Sequence, residues 1–254
     1  MASRTTVLVH GNPETSAIWE PLTAALTERG RSNVIALSPP GFGSPVPDGF
    51  DPTMAGYADW LVGELDAISA TGTEIDLLGH DWGAGHVYGA LSRRPDLVRT
   101  WASDIAGLLH RDYVWHDMAQ AWQTPDVGEQ AIEGMTSVAH ADKVALYEGL
   151  GVPSSMAAQL ASALDADMGR CVLRLYRTGA QPATGELGDH LAAMELPPGL
   201  AIDAELDAYV ASALGIAIAE RFDAEVLHLE GRGHWWMVDD VGSVADALVA
   251  FWSA

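Results

Sequence analysis

Apolar residues fall into short runs divided by polar and glycine-rich turns, and through the first hundred residues those runs alternate in kind. Val7-Leu8-Val9 reads as a buried strand, closed by the turn His10-Gly11-Asn12-Pro13. A helical pattern over about 17–29 follows, then a strand at 33–37, a Pro/Gly-rich loop to about Asp51 and a helix over about 53–70. A third strand, near 75–78, breaks into Gly79-His80-Asp81-Trp82-Gly83 and passes into a helix that stops near Arg94-Pro95; a fourth strand spans about 100–105. Strand–helix alternation of this kind predicts an α/β fold, a doubly wound, mostly parallel sheet. From about 108 to 178 the pattern changes. No strand-like run occurs there, only helical patterning at about 113–122, 126–138, 141–150, 154–164 and 167–176, which predicts an all-helical cap inserted into the sheet domain. Strands resume at 199–202 and 225–229, and a last helix covers about 243–252. The expected organisation is one domain, with its core at 1–107 and 179–254 and its cap at 108–178.

Composition bounds the function. With 254 residues, 48% hydrophobic and 19% charged, the chain is long enough and apolar enough for one well-buried core. A formal charge of −22, with Lys143 as the one lysine, opposes nucleic acid and anionic membrane surfaces. It also disfavours anionic small substrates unless a local Arg captures them, and the Ala-rich helical stretch suggests an apolar pocket, so a small, apolar, neutral substrate is expected. The single cysteine, Cys171, excludes an internal disulfide and a cysteine-rich metal site, and the nine histidines form neither an HExxH pattern nor a Cys/His cluster, so no metal or cofactor is expected. Met1-Ala2-Ser3-Arg4 leads straight into Thr5-Thr6-Val7-Leu8-Val9, too short for a signal peptide, and no run approaches the ~18–20 residues of a spanning helix. A soluble cytoplasmic protein, monomer or homodimer, is the expectation.

Chemistry in open α/β sheets collects beyond the carboxyl ends of the strands. The residues there are Asn12, Asp81, Asp104, Asp207 and His234. Asp81 has two readings. It can be an acidic cap on the following helix, since Asp is a favoured N-cap, or the exposed residue of a strand–elbow–helix turn whose glycines let a strained nucleophile rise above the sheet.

Taken together, His10-Gly11-Asn12-Pro13, Gly79-His80-Asp81-Trp82-Gly83, Glu205-Leu206-Asp207-Ala208-Tyr209 and Gly231-Arg232-Gly233-His234-Trp235 resemble the α/β-hydrolase superfamily. The closest likeness is to its aspartate-nucleophile branch of haloalkane dehalogenases and epoxide hydrolases. These motifs span nearly the whole chain in the order nucleophile, acid, histidine. The family usually carries a β-hairpin before the His-Gly strand, whereas here that strand begins about five residues in, so the sheet is expected to be narrower at that edge. The resemblance implies Asp81 as nucleophile, His234 as base and Asp207 as the acid that orients it. Asp104 is the alternative acid, since some haloalkane dehalogenases place theirs after the strand before the cap.

A carboxylate is already anionic near neutral pH and attacks saturated carbon directly, giving an ester that a histidine-activated water then hydrolyses. The backbone N–H groups of Asn12 and Trp82 would hold the oxyanion and favour ionised Asp81. The side chains of Trp82 and Asn12 resemble the halide donors of haloalkane dehalogenases, and Gln120-Ala121-Trp122-Gln123-Thr124-Pro125 resembles part of their cap. These features put carbon–halogen cleavage first. Tyr176 before Arg177 resembles the ring-opening acid of epoxide hydrolases, and Glu14 is also more like theirs; the place of their second tyrosine holds Met118, with Tyr113 off register. Epoxide hydrolysis with Tyr176 as acid is the alternative, and a non-catalytic ligand-binding protein on the same scaffold is the second. Fluoroacetate dehalogenases carry Arg after the nucleophile, where this chain has Trp82, and serine esterases lack Asp81.

Overall fold

The structure, a computed structural model, describes residues 3–239 and 241–253. Six strands, β1 (Ser3–Val9), β2 (Val34–Leu37), β3 (Thr73–Gly79), β4 (Thr100–Ser103), β5 (Gly199–Ala204) and β6 (Glu225–Leu229), form one sheet in the order β2-β1-β3-β4-β5-β6. Every neighbouring pair is parallel. In register, Val9 lies opposite both Leu37 and Gly79, and Gly79 opposite Ser103, so the carboxyl ends of the first four strands share one edge. Among the described residues the sheet ends at β2 on one side, and that strand is only half-covered.

The helices of the core are α1 (Glu20–Glu28), α2 (Met54–Ser69) and α3 (Trp82–Leu91), with further helices after the cap. Helix α3, which leaves the elbow, is buried along its whole length against the centre of the sheet. Within the stretch expected to form the cap lie α4 (Asp117–Gln123), α5 (Val127–Thr136), α6 (His140–Gly149), α7 (Ser154–Ala161) and α8 (Ala166–Thr178), without a strand among the described residues. Helix α8 packs on α4 and α5, and α7 lies against the turn before α1. Two ion pairs hold α8: Arg174 to Asp51 of the core and Arg177, through both terminal nitrogens, to Glu129 of α5. Among the described residues no helix is long and apolar enough to cross a membrane, and no group of three or more His, Cys, Asp or Glu could hold a metal.

Several helices after the cap have no counterpart in the sequence pattern: α9 (Ala183–Leu191), α10 (Ser212–Arg221) and the short α11 (Trp236–Asp239) before α12 (Val241–Ser253). Gly185 and Gly188 read as breaks because glycine is a weak helix former; α9 is nevertheless helical where it packs on the turn at 106–109. In α10 the run Ile216-Ala217-Ile218 carries the stiff branched side chains typical of strands, and contact with β5 and the same turn overrides that preference. Strand β4 ends at Ser103, two residues before expectation, since Ile105 enters left-handed backbone at φ 46.

Candidate active site

Asp81 has φ 48 and ψ −127, a strained conformation for a residue with a side chain. Although it stands at the N-cap position of α3, its carboxylate caps no backbone N–H of that helix. Instead Oδ1 accepts from the Asn12 backbone N–H at 2.8 Å. The cap reading of Asp81 therefore does not describe its side chain. A methyl on Gly83 would overlap the Val9 carbonyl and one on Gly11 would overlap the Asp81 side chain, so the elbow and the His10–Pro13 turn meet only because both positions are bare. Gly11→Ala should cut turnover at least ~100-fold, as expected for a displaced reacting group, with only a modest fall in melting temperature. Wild-type kcat in that variant would contradict the packing.

Opposite Asp81, Nε2 of His234 lies 3.8 Å from Oδ2, and Nδ1 lies 2.8 Å from Asp207 Oδ2. Asp207 is fixed in turn by the backbone N–H groups of Tyr209, at 2.7 Å, and Val210, at 3.3 Å. Burial opposes ionisation of Asp207, but the facing imidazole outweighs it and holds its pKa below the ordinary value. Burial likewise pulls His234 down, while Asp207 and then Asp81 raise it to a net position above an ordinary histidine. For Asp81 burial is the largest influence, and its pKa is raised despite the imidazoles nearby and the Asn12 N–H. The sequence reading counted only the donors, which favour the anion, and omitted desolvation.

Asp104 serves elsewhere. Its Oδ2 meets His80 Nδ1 and accepts from Trp236 Nε1 at 2.8 Å, while Oδ1 accepts from the Asp81 N–H at 3.0 Å. The far nitrogen of His80 lies 3.1 Å from Glu14 Oε1, and Glu14 also accepts from Trp235 Nε1 at 2.7 Å and the Gly11 N–H at 3.2 Å. Glu14, His80 and Asp104 are all essentially excluded from solvent. Burial alone would strip the proton from His80, but its two carboxylates raise its pKa well above the ordinary value. His80 in turn outweighs the burial of Glu14 and lowers that carboxyl to about 2. A buried histidine held between two carboxylates thus lies behind Asp81, its ring 4.6 Å from that of His234. The sequence reading missed this role of His80. The available signal was a histidine in an apolar run, where a buried polar side chain requires a partner.

Two small cavities flank Asp81. The larger, about 30 Å³, is lined by Asn12, His234, Trp122, Met118, Met135 and Leu150 among others. The smaller, about 10 Å³, is lined by Trp82, Ile105, Leu108, Tyr113 and Trp115. Asp81, His116, Tyr176 and Tyr209 line both. One water needs about 10–15 Å³, so the two cavities together are the size of a few waters. His116 and Tyr209 were not singled out from the sequence, although Tyr209 closes the Asp207 motif.

Tyr176 is buried, and its hydroxyl accepts from Asn12 Nδ2 at 3.3 Å. Its ring lies among three tryptophans, Trp82, Trp115 and Trp122, at centroid distances of 5.3, 5.4 and 4.8 Å. Burial raises the phenol well above its usual pKa, and the Asp81 charge adds to this; Asn12 and Trp82 oppose it. The Trp82 indole N–H is therefore near that hydroxyl, yet it meets no acceptor at hydrogen-bond geometry, and the Asn12 carbonyl oxygen is also unpartnered. The two side chains that the resemblance marked as halide donors thus flank a phenol oxygen. From α6, Tyr147 donates its hydroxyl proton to the Pro13 carbonyl, tying the cap to the loop that carries Asn12.

The chain matches the model of the alpha/beta hydrolase family over residues 6–247. Among solved structures, it is similar to haloalkane dehalogenase DbeA from Bradyrhizobium elkani at 23% identity, covering 99% of this chain and 91% of that one, with a TM-score of 0.75. It is similar also to Cfl2 from Burkholderia cenocepacia at 18% identity, covering 98% and 88% of the two chains, with a TM-score of 0.78. Likeness at such identities establishes a common fold. Over 130 residues, 47% of this chain, it is 38% identical to the "Probable oxidoreductase EphD" of Mycobacterium tuberculosis. It spans only 21% of that relative's length.

Proposed function

This chain belongs to the alpha/beta hydrolase family, and from that premise we propose that it hydrolyses a bond to saturated carbon through an ester between Asp81 and the substrate. Asp81 Oδ2, the oxygen that faces His234, attacks the carbon, and the bond to the leaving atom breaks with its electron pair. His234 then takes a proton from a water that attacks the ester carbonyl, and Asp207 holds the imidazole's orientation and stabilises its charged form. The Asn12 N–H, already 2.8 Å from Oδ1, is the donor to the oxyanion of this second step. The Trp82 N–H, first in α3, is one of the unpaired donors at a helix start and supplies the other. That Asp81 faces the Asn12 N–H on one oxygen and a carboxylate-backed histidine on the other carries this reading.

For the leaving group, the Tyr176 hydroxyl favours an epoxide. Its oxygen accepts from Asn12, which leaves its own proton to point to the cavity beside Asp81. As the ring C–O bond opens, that proton passes to the ring oxygen; the proton left after ester hydrolysis restores the phenol, and the product is a vicinal diol. A haloalkane is the second reading, favoured by the Trp82 indole N–H, a neutral donor without an acceptor. Diol and halide production should be measured separately with 1,2-epoxybutane and 1-bromobutane. Tyr176→Phe is expected to lower epoxide alkylation at least ~100-fold and to leave bromide release within a few-fold. The reverse pattern, with bromide release abolished by Asn12→Leu and diol formation insensitive to Tyr176→Phe, would establish the haloalkane reading. A wild-type protein that acts on neither would fit a ligand-binding role.

A further inference from the structure

The two cavities beside Asp81 differ in how they are built. The smaller is walled by rings that hold one another: Trp82 and Trp115 are stacked at 5.6 Å, Trp115 packs edge-on against Tyr113 at 5.0 Å, and the Tyr113 hydroxyl donates to the Tyr209 carbonyl at 3.2 Å. Leu108 behind them is buried. Flat side chains fixed in this way leave little space to gain. The larger cavity alone is lined by Met118, Met135 and Leu150, from α4, α5 and the residue after α6. Unbranched thioethers reshape at low cost. Met118 and Leu150 are also only half-buried, so this side leads outward between the cap helices.

We propose that the site selects unsymmetrical aliphatic substrates: a reacting carbon with hydrogen or at most a small substituent on the Trp82–Trp115 side, and a linear apolar tail running past Met135 and Leu150, which set the tail length. This inference rests on the alkyl–Asp81 reading. Its substrate class is terminal epoxides or 1-haloalkanes with unbranched tails, whichever leaving group applies. The catalytic groups take no part in the discrimination, since Met135 and Leu150 come from cap helices and the reacting atoms from strand ends.

The test is a one-pot competition between 1,2-epoxybutane and 1,2-epoxyoctane, repeated with 1-bromobutane and 1-bromooctane, in which the product ratio reports relative kcat/KM independently of how much enzyme is folded. Met135→Ala should raise the octyl-to-butyl ratio about tenfold, and Leu150→Trp should lower it by a similar factor, in keeping with the effect of a methylene or more in an apolar pocket. Leu108→Ala should leave that ratio within twofold and instead admit 2,3-epoxybutane or 2-bromobutane. An unchanged ratio in both Met135→Ala and Leu150→Trp, or an equal shift in Leu108→Ala, overturns the assignment while the ester mechanism stands. Absence of any turnover of the four linear substrates by the wild type overturns both.

Discussion

His234→Gln should become a trap for its own intermediate. After incubation with 1,2-epoxybutane or 1-bromobutane, the intact mass should rise by one substrate-derived group, and fragmentation should place it on Asp81. Alkylation continues because it does not use His234, whereas the second step loses its base, and steady-state turnover should fall by roughly 10³-fold, within the usual range for a positioned acid–base group. In the wild type the same step has a pH signature. His234 has a raised pKa, so it becomes protonated at a higher pH than an ordinary histidine and ester hydrolysis slows on the acid side. Adduct should therefore accumulate in wild-type protein as pH falls. A His234→Gln protein that carries no adduct with either reagent would sink the covalent mechanism.

The second large effect is on stability. His80→Ala should cost about 3–5 kcal/mol, because it leaves Glu14 and Asp104 buried without their shared cation. For a chain of this size that corresponds to a fall of roughly 10 °C in melting temperature. The pH dependence follows from the two shifts. Glu14 is depressed from 4.5 to about 2, so its contribution is present above pH 4.5 and is lost as pH falls towards 2. His80 is raised, so its contribution is present below its ordinary 6.5 and is lost only as pH climbs through the higher folded value. Between these limits the network is intact, and melting curves of the wild type should drop steeply below pH 4.5 while those of His80→Ala flatten there. Parallel curves for the two proteins would remove the network from the account of stability.

The legible part of the site was whatever sits on a strand end within a short glycine-containing motif. Asp81, Asn12, His234 and Asp207 are of this kind, because the chain's own alternation places each at the same edge of the sheet. Contacts made by packing were not legible. The Asn12–Tyr176 bond spans 164 residues and the His80–Asp104 pair 24, and no periodicity reports on either. Asp104 stands at a strand end like the others, so position alone could not separate an acid that orients a base from one that holds His80. The helices at 117–178 were legible from the lack of strand runs there. Helices α9 and α10 were hidden, one by glycines and the other by branched residues, since their stability comes from the surfaces they cover rather than from propensity.

The bond from Tyr147 to the Pro13 carbonyl has a bearing on how the protein could coexist with its own reactivity. Pro13 adjoins Asn12, whose N–H donates to Asp81, so a movement that lifts α6 away pulls on the loop that, in the proposed mechanism, aligns the nucleophile. Opening along α6 and loss of the aligned carboxylate are then one mechanical event. An enzyme with a carboxylate able to attack carbon risks being modified by stray electrophiles whenever it stands open. Under the proposed mechanism, a form with α6 displaced would be a disarmed one.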